Sequence, residues 1–310
     1  MNQLEQLKKF TTVVADTGDF ETISKYFPQD ATTNPSLIYL ASQKDNYKHL
    51  IEDAISRGKN IEDILDLLFV NFGEEILKII PGRVSIEVDA RLSYDAEKSY
   101  EKAKKIIKLF EDRGIDRKRI LIKLAATWEG IEVCKKLEDE NIHCNITLLF
   151  SLIQAIGAAE ANATIISPFV GRILDWHKKN NNFSSQIPHE DPGVISVKTI
   201  FDYYKKFNYS TKIMGASFRN VFEILELSGC DLLTISPNLL EILENSKEKI
   251  EKKLCEIESQ QKVLEKVLFN KVNFEKLLSE NKMASEKLKE GIFKFSEDIE
   301  KLEKLIKAKL

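Results

Sequence analysis

Short apolar segments rich in Val, Ile and Thr recur along the chain, and each is followed by a longer stretch with helical periodicity. Short apolar runs are typical of buried strands, whereas apolar residues three or four positions apart are typical of amphipathic helices. The pattern predicts eight strands, at residues 11–16, 31–33, 84–89, 120–125, 143–148, 165–170, 212–217 and 231–236. The second strand has only three residues and is the weakest of these predictions. Stretches such as 96–113 and 128–140 are predicted as helices between the strands.

Strands that alternate with helices predict parallel βαβ units, and eight parallel strands are the number that closes a barrel. The predicted fold class is therefore α/β, a single (β/α)8 TIM barrel. Eleven of the 12 Gly residues and all seven Pro residues lie at or before Pro237, and the chain beyond it is rich in Lys, Glu and Leu on an amphipathic pattern. We therefore expect residues 1–310 to form one domain, in which 238–310 are a helical C-terminal extension packed on the barrel.

Composition narrows the class of protein. A length of 310 residues allows one large domain or two small ones, and 43% hydrophobic and 31% charged residues are ordinary for a globular protein. The net charge of −3 gives no reason to expect nucleic acid or a membrane surface as a partner. The N-terminus lacks the pattern of a signal peptide, and no apolar run approaches the ~18 residues of a membrane span.

The cysteine and histidine spacings give no sign of a metal site. The four Cys residues form no CxxC pair, and the four His residues form no HxxxH pair. Reduced thiols in a cytoplasmic protein are the simplest interpretation of this spacing.

One lysine lies in an unusual place. Side chains alternate across a strand, so one set in a barrel faces the helices and the other faces the interior, where polar residues near the carboxyl end serve catalysis. In the apolar stretch ILIKLAA, Lys123 shares the inward set with Leu121 and Ala125. An ammonium group is costly to bury, and the ordinary alternative is a Lys whose side chain extends from the strand end to water.

Other strands carry polar residues at a comparable depth, which favours a functional interpretation. They are Glu87 in SIEVD, Asn145 and Thr147 in NITLL, Asp16 at the end of TTVVAD, and Asn34 directly after the second strand. One buried polar residue is usually structural, but a set that converges from five strands is difficult to explain as packing.

The residue types suit covalent chemistry on a carbonyl compound. A Lys amine is a nucleophile only when it is unprotonated, and burial in an apolar strand can lower the pKa of a Lys. Such an amine forms a Schiff base with a carbonyl substrate. Glu87 is a candidate for moving the protons that this step requires, and Asp16 is a candidate base for a substrate hydroxyl during carbon–carbon bond cleavage.

Two segments after later strands predict an anion site. ISPFVGR places Ser167 at a strand end and Arg172 in the following loop, and GASFRN places Ser217 and Arg219 after the next strand. Arg binds phosphate through a planar fork that Lys cannot reproduce. Only eight of the 46 basic residues are Arg, so two at adjacent strand ends favour a phosphate site, although either one alone could be an ordinary surface residue.

Nine segments resemble the transaldolase family and occur in the family's order. They are TVVADTGDF, ATTNPSLI, VSIEVDARLSYD, RILIKLAATWEGI, CNITLLFS, ISPFVGRILDW, EDPGV, MGASFRN and GCDLLTISP. The resemblance implies a (β/α)8 barrel that transfers a dihydroxyacetone unit between sugar phosphates by a class I aldolase type of mechanism. It implies neither a metal nor an organic cofactor. Members of this family are often dimeric, so a homodimer is compatible with it.

The resemblance also implies roles for the inward polar residues. Lys123 matches the lysine that forms the Schiff base. Asp16 matches the base for the C4 hydroxyl during cleavage, which is its acid in the reverse step. Glu87 matches the glutamate that works with Thr147 through a water molecule in imine formation and hydrolysis.

The substrate-binding residues follow in the same way. The groups that hold the sugar hydroxyls near the dihydroxyacetone end are Asn34, Asn145 and Ser167, and the phosphate site consists of Arg172, Ser217 and Arg219. Phe169 stands where the shorter fructose-6-phosphate aldolases tend to carry Tyr. Because Phe has no hydroxyl to organise a water that could release the enamine, Phe169 and the chain length favour transfer.

Two alternatives fit parts of the sequence. One is a lyase of the fructose-6-phosphate aldolase type. The other is a non-catalytic barrel that binds sugar phosphates, for which the long charged tail is the only support, since such a protein has no need of Lys123, Glu87 and Asp16 together. In the tail, Phe293 stands where the family usually has Arg.

Overall fold

Parallel strands close into one barrel in the computed structural model, which describes residues 1–310 apart from the side chain of Thr22. The strands are β1 Thr12–Asp16, β2 Asp30–Thr32, β3 Val84–Glu87, β4 Ile120–Ala125, β5 Cys144–Leu149, β6 Ile165–Pro168, β7 Lys212–Gly215 and β8 Leu232–Ile235. Each strand pairs with its neighbours in chain order, and β8 pairs with β1. The predicted (β/α)8 barrel is thereby confirmed.

Helices lie between the strands and after the last one. They are α1 Gln3–Leu7, α2 Phe20–Tyr26, α3 Pro35–Ser42, α4 Lys48–Arg57, α5 Ile61–Ile79, α6 Ala96–Glu111, α7 Trp128–Asp139, α8 Leu152–Glu160, α9 Val170–Asn180, α10 Pro192–Lys206, α11 Val221–Glu226, α12 Pro237–Asn245, α13 Glu256–Gln261, α14 Lys271–Glu280 and α15 Lys282–Lys307. Several begin at an Asn, Asp or Thr side chain that accepts a backbone N–H, as Asn34 does for α3 and Asn60 for α5.

The barrel has separate outer and inner cores. All six residues of β4 are buried, and Ile120 and Ile122 pack in the large core between the strands and the helices. Inside the barrel, a second apolar layer is formed by Val14, Leu121, Ile165, Met214 and Leu232. Because this layer fills the lower interior, polar side chains further along the strands face a site that is closed from below.

Three strands end two residues earlier than the sequence pattern predicts. They are β3, β6 and β7, which end at Glu87, Pro168 and Gly215. A 3₁₀ helix begins at Ala90 after β3, and α9 begins at Val170 after β6. After β7, Ser217 has a φ of +61°, in the left-handed region outside regular strand geometry. The backbone therefore turns where the predicted site residues lie.

The tail adds helices to the barrel, as the amphipathic pattern predicts. Residues 246–255 and 262–270 separate α12, α13 and α14 without helical structure of their own. The longest helix, α15, buries Leu288, Phe295 and Leu302 and packs on α3, α9 and β5. Among the described residues, no helix combines the length and the apolar character that crossing a membrane requires.

A pair of Ile→Ala substitutions tests the outer core. Ile131 in α7 is 3% exposed, and Ile195 in α10 is 48% exposed. Ile131→Ala should lower the free energy of unfolding by about 2–4 kcal/mol, because it removes buried methylene groups and leaves a cavity. Ile195→Ala makes the same change in a helix and should cost below about 0.5 kcal/mol. Urea denaturation measured by circular dichroism compares them, and equal losses would contradict the packing of α7.

Candidate active site

The centre of the site is an ion pair between two buried residues of neighbouring strands. Glu87 and Lys123 are register partners in β3 and β4, and their exposures are 5% and 3%. The Lys123 Nζ atom lies 3.1 Å from Glu87 Oε2 and donates a hydrogen bond to the Thr33 carbonyl oxygen at 3.0 Å. The side chain of Lys123 therefore does not extend to water, and the ordinary alternative for a lysine in a strand is wrong here.

Two buried oxygens next to this pair lack a hydrogen bond from any described residue. One is Thr147 Oγ1. The other is Glu87 Oε2, whose contact with Lys123 is an ion pair. Thr147 pairs with Ala125, two residues beyond Lys123, so its hydroxyl lies one layer nearer the barrel mouth. A buried polar atom without a partner is costly, and such atoms mark places where water or substrate completes the network.

Asp16 is held at the end of β1 by threonines. Thr32, its register partner in β2, donates its hydroxyl to Asp16 Oδ1 at 3.0 Å, and the same hydroxyl lies 2.8 Å from Thr234 Oγ1. The sequence analysis did not select Thr32 or Thr234. The signal available for both was their position in the inward set of short strands.

A chain of polar side chains runs along β5 and β6. The Ser167 hydroxyl donates to Asn145 Oδ1 at 2.7 Å, and Asn145 Nδ2 donates to Ser85 Oγ at 3.1 Å. Asn145 is a register partner of Lys123 and is fully buried. These bonds orient the amide of Asn145 beside the lysine.

Asn34 has a different support. It is the N-cap of α3, where its Oδ1 accepts the backbone N–H of Leu37 at 3.0 Å. Its Nδ2 amide is the group that the cap leaves available to a ligand in the cleft.

The predicted phosphate-binding residues meet at the ends of β6 and β7. The guanidinium of Arg172 lies 4.8 Å from the ring of Phe169 and 5.3 Å from the ring of Phe295, so aromatic faces hold it. Arg219 is more exposed. It donates to Asp175 at 2.7 and 3.1 Å, and its Nη1 lies 3.4 Å from Ser217 Oγ.

The guanidinium groups of Arg172 and Arg219 repel each other. Burial lowers the pKa of Arg172, and repulsion by Arg219 acts in the same direction. An anion bound between the two guanidinium groups would relieve that repulsion, which makes this end of the site suited to a phosphate.

These groups surround one cleft at the carboxyl end of the barrel. It has a cavity volume of about 50 Å³ and is lined by Asp16, Thr32, Asn34, Lys123, Ser167, Phe169, Arg172, Ala216, Ser217 and Thr234. Glu87, Asn145 and Thr147 lie in the buried wall behind Lys123. Arg219 lies at the outer edge, beyond Ser217. The fold thus brings every site residue predicted from the sequence into one region.

The two acids of the site share an electrostatic environment. Burial raises the pKa of Asp16 and of Glu87, and the charge of Lys123 opposes the rise in both cases without cancelling it. Each acid therefore holds a proton more readily than an ordinary carboxyl group, which suits proton transfer near neutral pH.

A separate group of side chains could offer three ligands to a metal ion. Among the described residues, Cys134, Glu138 and Cys144 place their ligand atoms within 4.8 Å of one another, at the start of β5. Glu138 Oε1 already accepts the backbone N–H groups of Cys144 and Thr164, at 2.8 and 2.7 Å. These bonds account for the burial of Glu138 without a ligand.

A buried lysine, two acids of raised pKa and an arginine pair lie together at the carboxyl end of a (β/α)8 barrel, where barrel enzymes carry their active sites. The model of the family described as transaldolase/fructose-6-phosphate aldolase matches residues 13–306. The chain therefore belongs to the transaldolase/fructose-6-phosphate aldolase family, which confirms the resemblance seen in the nine segments.

Individual relatives are similar over almost their whole length. The chain is 56% identical to a transaldolase of Protochlamydia amoebophila (strain UWE25), over 99% of this chain and 97% of that protein. It is 53% identical to a transaldolase of Methylococcus capsulatus (strain ATCC 33009 / NCIMB 11132 / Bath), over 100% and 97%. It is 54% identical to a probable transaldolase of Drosophila melanogaster, over 100% and 96%.

Because the pKa of Glu87 is raised in the folded protein, its effect on stability should depend on pH. The unfolded carboxyl titrates at about 4.3, so the native state binds the proton more tightly, and ionisation costs stability as the pH rises from the unfolded pKa to the folded one. Glu87→Gln removes this cost. Its melting temperature should exceed that of the wild type at pH 7, and the difference should disappear below about pH 4.

Calorimetry between pH 3 and pH 8 measures this difference. Glu132→Gln, at an exposed position of α7, is the matched control and should change the melting temperature little at any pH. A Glu87→Gln protein that is less stable than the wild type at pH 7 would show that the pairing with Lys123 outweighs the cost of burial.

Proposed function

We propose that this chain is a transaldolase that transfers a dihydroxyacetone unit between sugar phosphates. The reaction interconverts sedoheptulose 7-phosphate and glyceraldehyde 3-phosphate with erythrose 4-phosphate and fructose 6-phosphate. The observation that carries the proposal is the amine of Lys123, 3% exposed and 3.1 Å from Glu87, in a cleft whose other end carries Arg172. The names of the three relatives support it.

In the first step, the unprotonated Lys123 Nζ attacks the ketone carbon of the donor. The nitrogen then loses a proton and the carbonyl oxygen gains one, which gives a neutral carbinolamine. A second proton converts its hydroxyl to a leaving water, and an iminium remains. Glu87 is the proposed proton carrier, since burial raises its pKa. The unpartnered hydroxyl of Thr147 is the proposed anchor for the water through which Glu87 acts.

In the second step, Asp16 removes the proton of the C4 hydroxyl. The C3–C4 bond breaks, its electron pair neutralises the iminium to give an enamine on Lys123, and an aldose phosphate leaves. The enamine carbon then attacks the aldehyde of an acceptor aldose phosphate, and Asp16 returns the proton to the new hydroxyl. Hydrolysis of the new iminium reverses the first step and frees Lys123.

The substrate spans the cleft from the lysine to the arginine pair. Asn34, Asn145 and Ser167 are the proposed partners of the sugar hydroxyls near the dihydroxyacetone end. Arg172, Ser217 and Arg219 are the proposed phosphate site, supported by the lowered pKa of Arg172 and the fork geometry of arginine.

Transfer requires that the enamine is not released by water before an acceptor binds. Phe169 lines the cleft and packs edge-on against Phe150, with ring centres 5.7 Å apart. Its ring offers no donor or acceptor to a water near the enamine, which supports a transferase over a lyase of the fructose-6-phosphate aldolase type.

Other features of the proposal concern the chain as a whole. We propose that residues 1–310 act as one unit, that they work in the cytoplasm, and that a homodimer can form. The packing of α15 on the barrel supports the first, the buried free thiols of Cys134, Cys144 and Cys230 the second, and family resemblance the third. The small net charge of −3 supports the absence of a nucleic-acid partner.

Borohydride trapping tests the mechanism. Reduction in the presence of fructose 6-phosphate should fix the dihydroxyacetone unit on Lys123, because the iminium or its precursor is converted to a stable secondary amine. Peptide mass spectrometry locates the adduct. Lys123→Met should give no adduct and no transfer activity. An adduct on another of the chain's lysines, or full activity in Lys123→Met, would overturn the proposal.

Phe169→Tyr tests the choice between transfer and release. A hydroxyl at this position should organise a water near the enamine, so that release of free dihydroxyacetone without an acceptor rises relative to transfer to erythrose 4-phosphate. Phe169→Leu is the control, since it changes the packing without adding a hydroxyl, and should lower both rates together. The same release ratio in the Tyr and Leu variants would remove the role assigned to Phe169.

A further inference from the structure

The longest helix of the tail touches two opposite walls of the cleft. β2 and β6 are four strands apart in a closed barrel of eight, so they face each other across it. α15 packs on α3, which follows β2, and on α9, which follows β6. A rigid helix that bridges two opposite strand ends determines how far apart these ends, and the groups on them, lie.

At the β2 wall the contact is a buried hydrogen bond. Ser36, the second residue of α3, donates its hydroxyl to Oδ2 of Asp298, which is 4% exposed. The other carboxylate oxygen of Asp298 accepts from Lys301 at 2.7 Å, and the ammonium of Lys301 lies 5.7 Å from the ring centre of Tyr39 in α3. Two residues of α15 therefore contact α3, at its second and fifth residues.

The first half of α3 is what positions Asn34. Asn34 is the N-cap of this helix and lines the cleft. Its Oδ1 accepts the N–H of Leu37, the residue after Ser36, at 3.0 Å. A displacement of the first turn of α3 thus carries the Asn34 amide with it.

At the β6 wall α15 approaches closely. Phe295, three residues before Asp298 on the same helix, places its ring 5.3 Å from the guanidinium of Arg172. At Gly291, one turn earlier, a Cβ would lie 2.6 Å from a methyl carbon of Leu148 and 3.4 Å from Nη1 of Arg172. A larger residue at Gly291 would therefore require the Leu148 side chain to move or the helix to lie further from the barrel.

We propose that Asp298 is a positioning residue for the transfer reaction. It holds Ser36, and through α3 the amide of Asn34, at a set distance from Arg172, which Phe295 of the same helix contacts. α15 thereby determines the span between the hydroxyl-binding and phosphate-binding ends of the substrate. The inference rests on the binding roles of Asn34 and Arg172 in the proposed function.

Single substitutions measure the contribution of the hydrogen bond. Ser36→Ala and Asp298→Ala should each lower kcat/KM for fructose 6-phosphate about tenfold, because they remove a hydrogen bond to a charged acceptor. Asp298→Asn keeps an oxygen for Ser36 and should stay within about threefold of the wild type. Ser296→Ala is the matched control, since its hydroxyl donates within α15, to the Ile292 carbonyl at 2.8 Å, and it should change nothing.

Two further readouts separate positioning from general loosening of the fold. Inorganic phosphate, used as a competitive inhibitor, should bind Ser36→Ala with an inhibition constant within about twofold of the wild-type value, because the Arg172 end is not disturbed. The Asn34→Ala/Ser36→Ala double variant should be no less active than Asn34→Ala alone, because Ser36 acts through Asn34. If Asp298→Ala fails to fold, Ser36→Ala and Asp298→Asn carry the test.

The outcomes distinguish the two levels of the argument. If Asn34→Ala lowers kcat/KM and Ser36→Ala does not, the positioning role of Asp298 is overturned while the proposed function stands. If the losses of the two single variants multiply in the double variant, Ser36 acts independently and the inference again fails alone. If Asn34→Ala has no effect although borohydride labels Lys123, the binding role assigned to Asn34 is wrong, and the inference falls with it.

Discussion

The ion pair between Lys123 and Glu87 is the constraint on which the rest of the site depends. Two charged groups at 3% and 5% exposure are tolerated only because neighbouring strands in register place their charges 3.1 Å apart. The apolar layer inside the barrel closes the site from below. Apolar residues of similar size would serve stability as well or better, so stability alone does not account for these charges, which the proposed mechanism would use.

Around that pair, the cleft is organised as a gradient of charge. Carboxyl groups with raised pKa values, Asp16 and Glu87, lie beside the lysine, and Arg172 and Arg219 lie at the ends of the strands that face them. A ligand with a phosphate at one end and a carbonyl at the other fits this gradient in one orientation only. In the proposed function, the position of the reacting carbon and the recognition of the phosphate are two consequences of the same barrel geometry.

The outline of the fold and most of the site could be predicted because the alternation of side chains along a strand indicates both where the strands lie and which side chains face the interior. Lys123, Glu87, Asn145 and Thr147 were predicted from their parity within apolar strands, and the structure places all four in one buried wall. Thr32 and Thr234 were missed, since a threonine in a strand is ordinary. Only the contact between these two side chains gives them a role beside Asp16. Strand ends were overestimated where Ser217 adopts a left-handed conformation, because a local propensity carries no information about a backbone turn enforced by neighbouring elements.

The local pattern of the chain was enough to predict the set of elements and the candidate reactive groups. The hydrophobic period of a helix and the alternation of side chains along a strand are local properties of the sequence. Eight alternating strand–helix units admit few closed arrangements, so the barrel and its inward residues could be predicted from the chain alone. Contacts between side chains that are more than one strand apart are visible only in the tertiary structure. Examples are the contact of Ser36 with Asp298, 262 positions later in the chain, and the ring of Phe295 beside Arg172. With the same amphipathic pattern, helix α15 could pack against several faces of a barrel. The particular face is selected by the fit of side chains, such as the close approach at Gly291. Hydrophobic periodicity does not encode this fit.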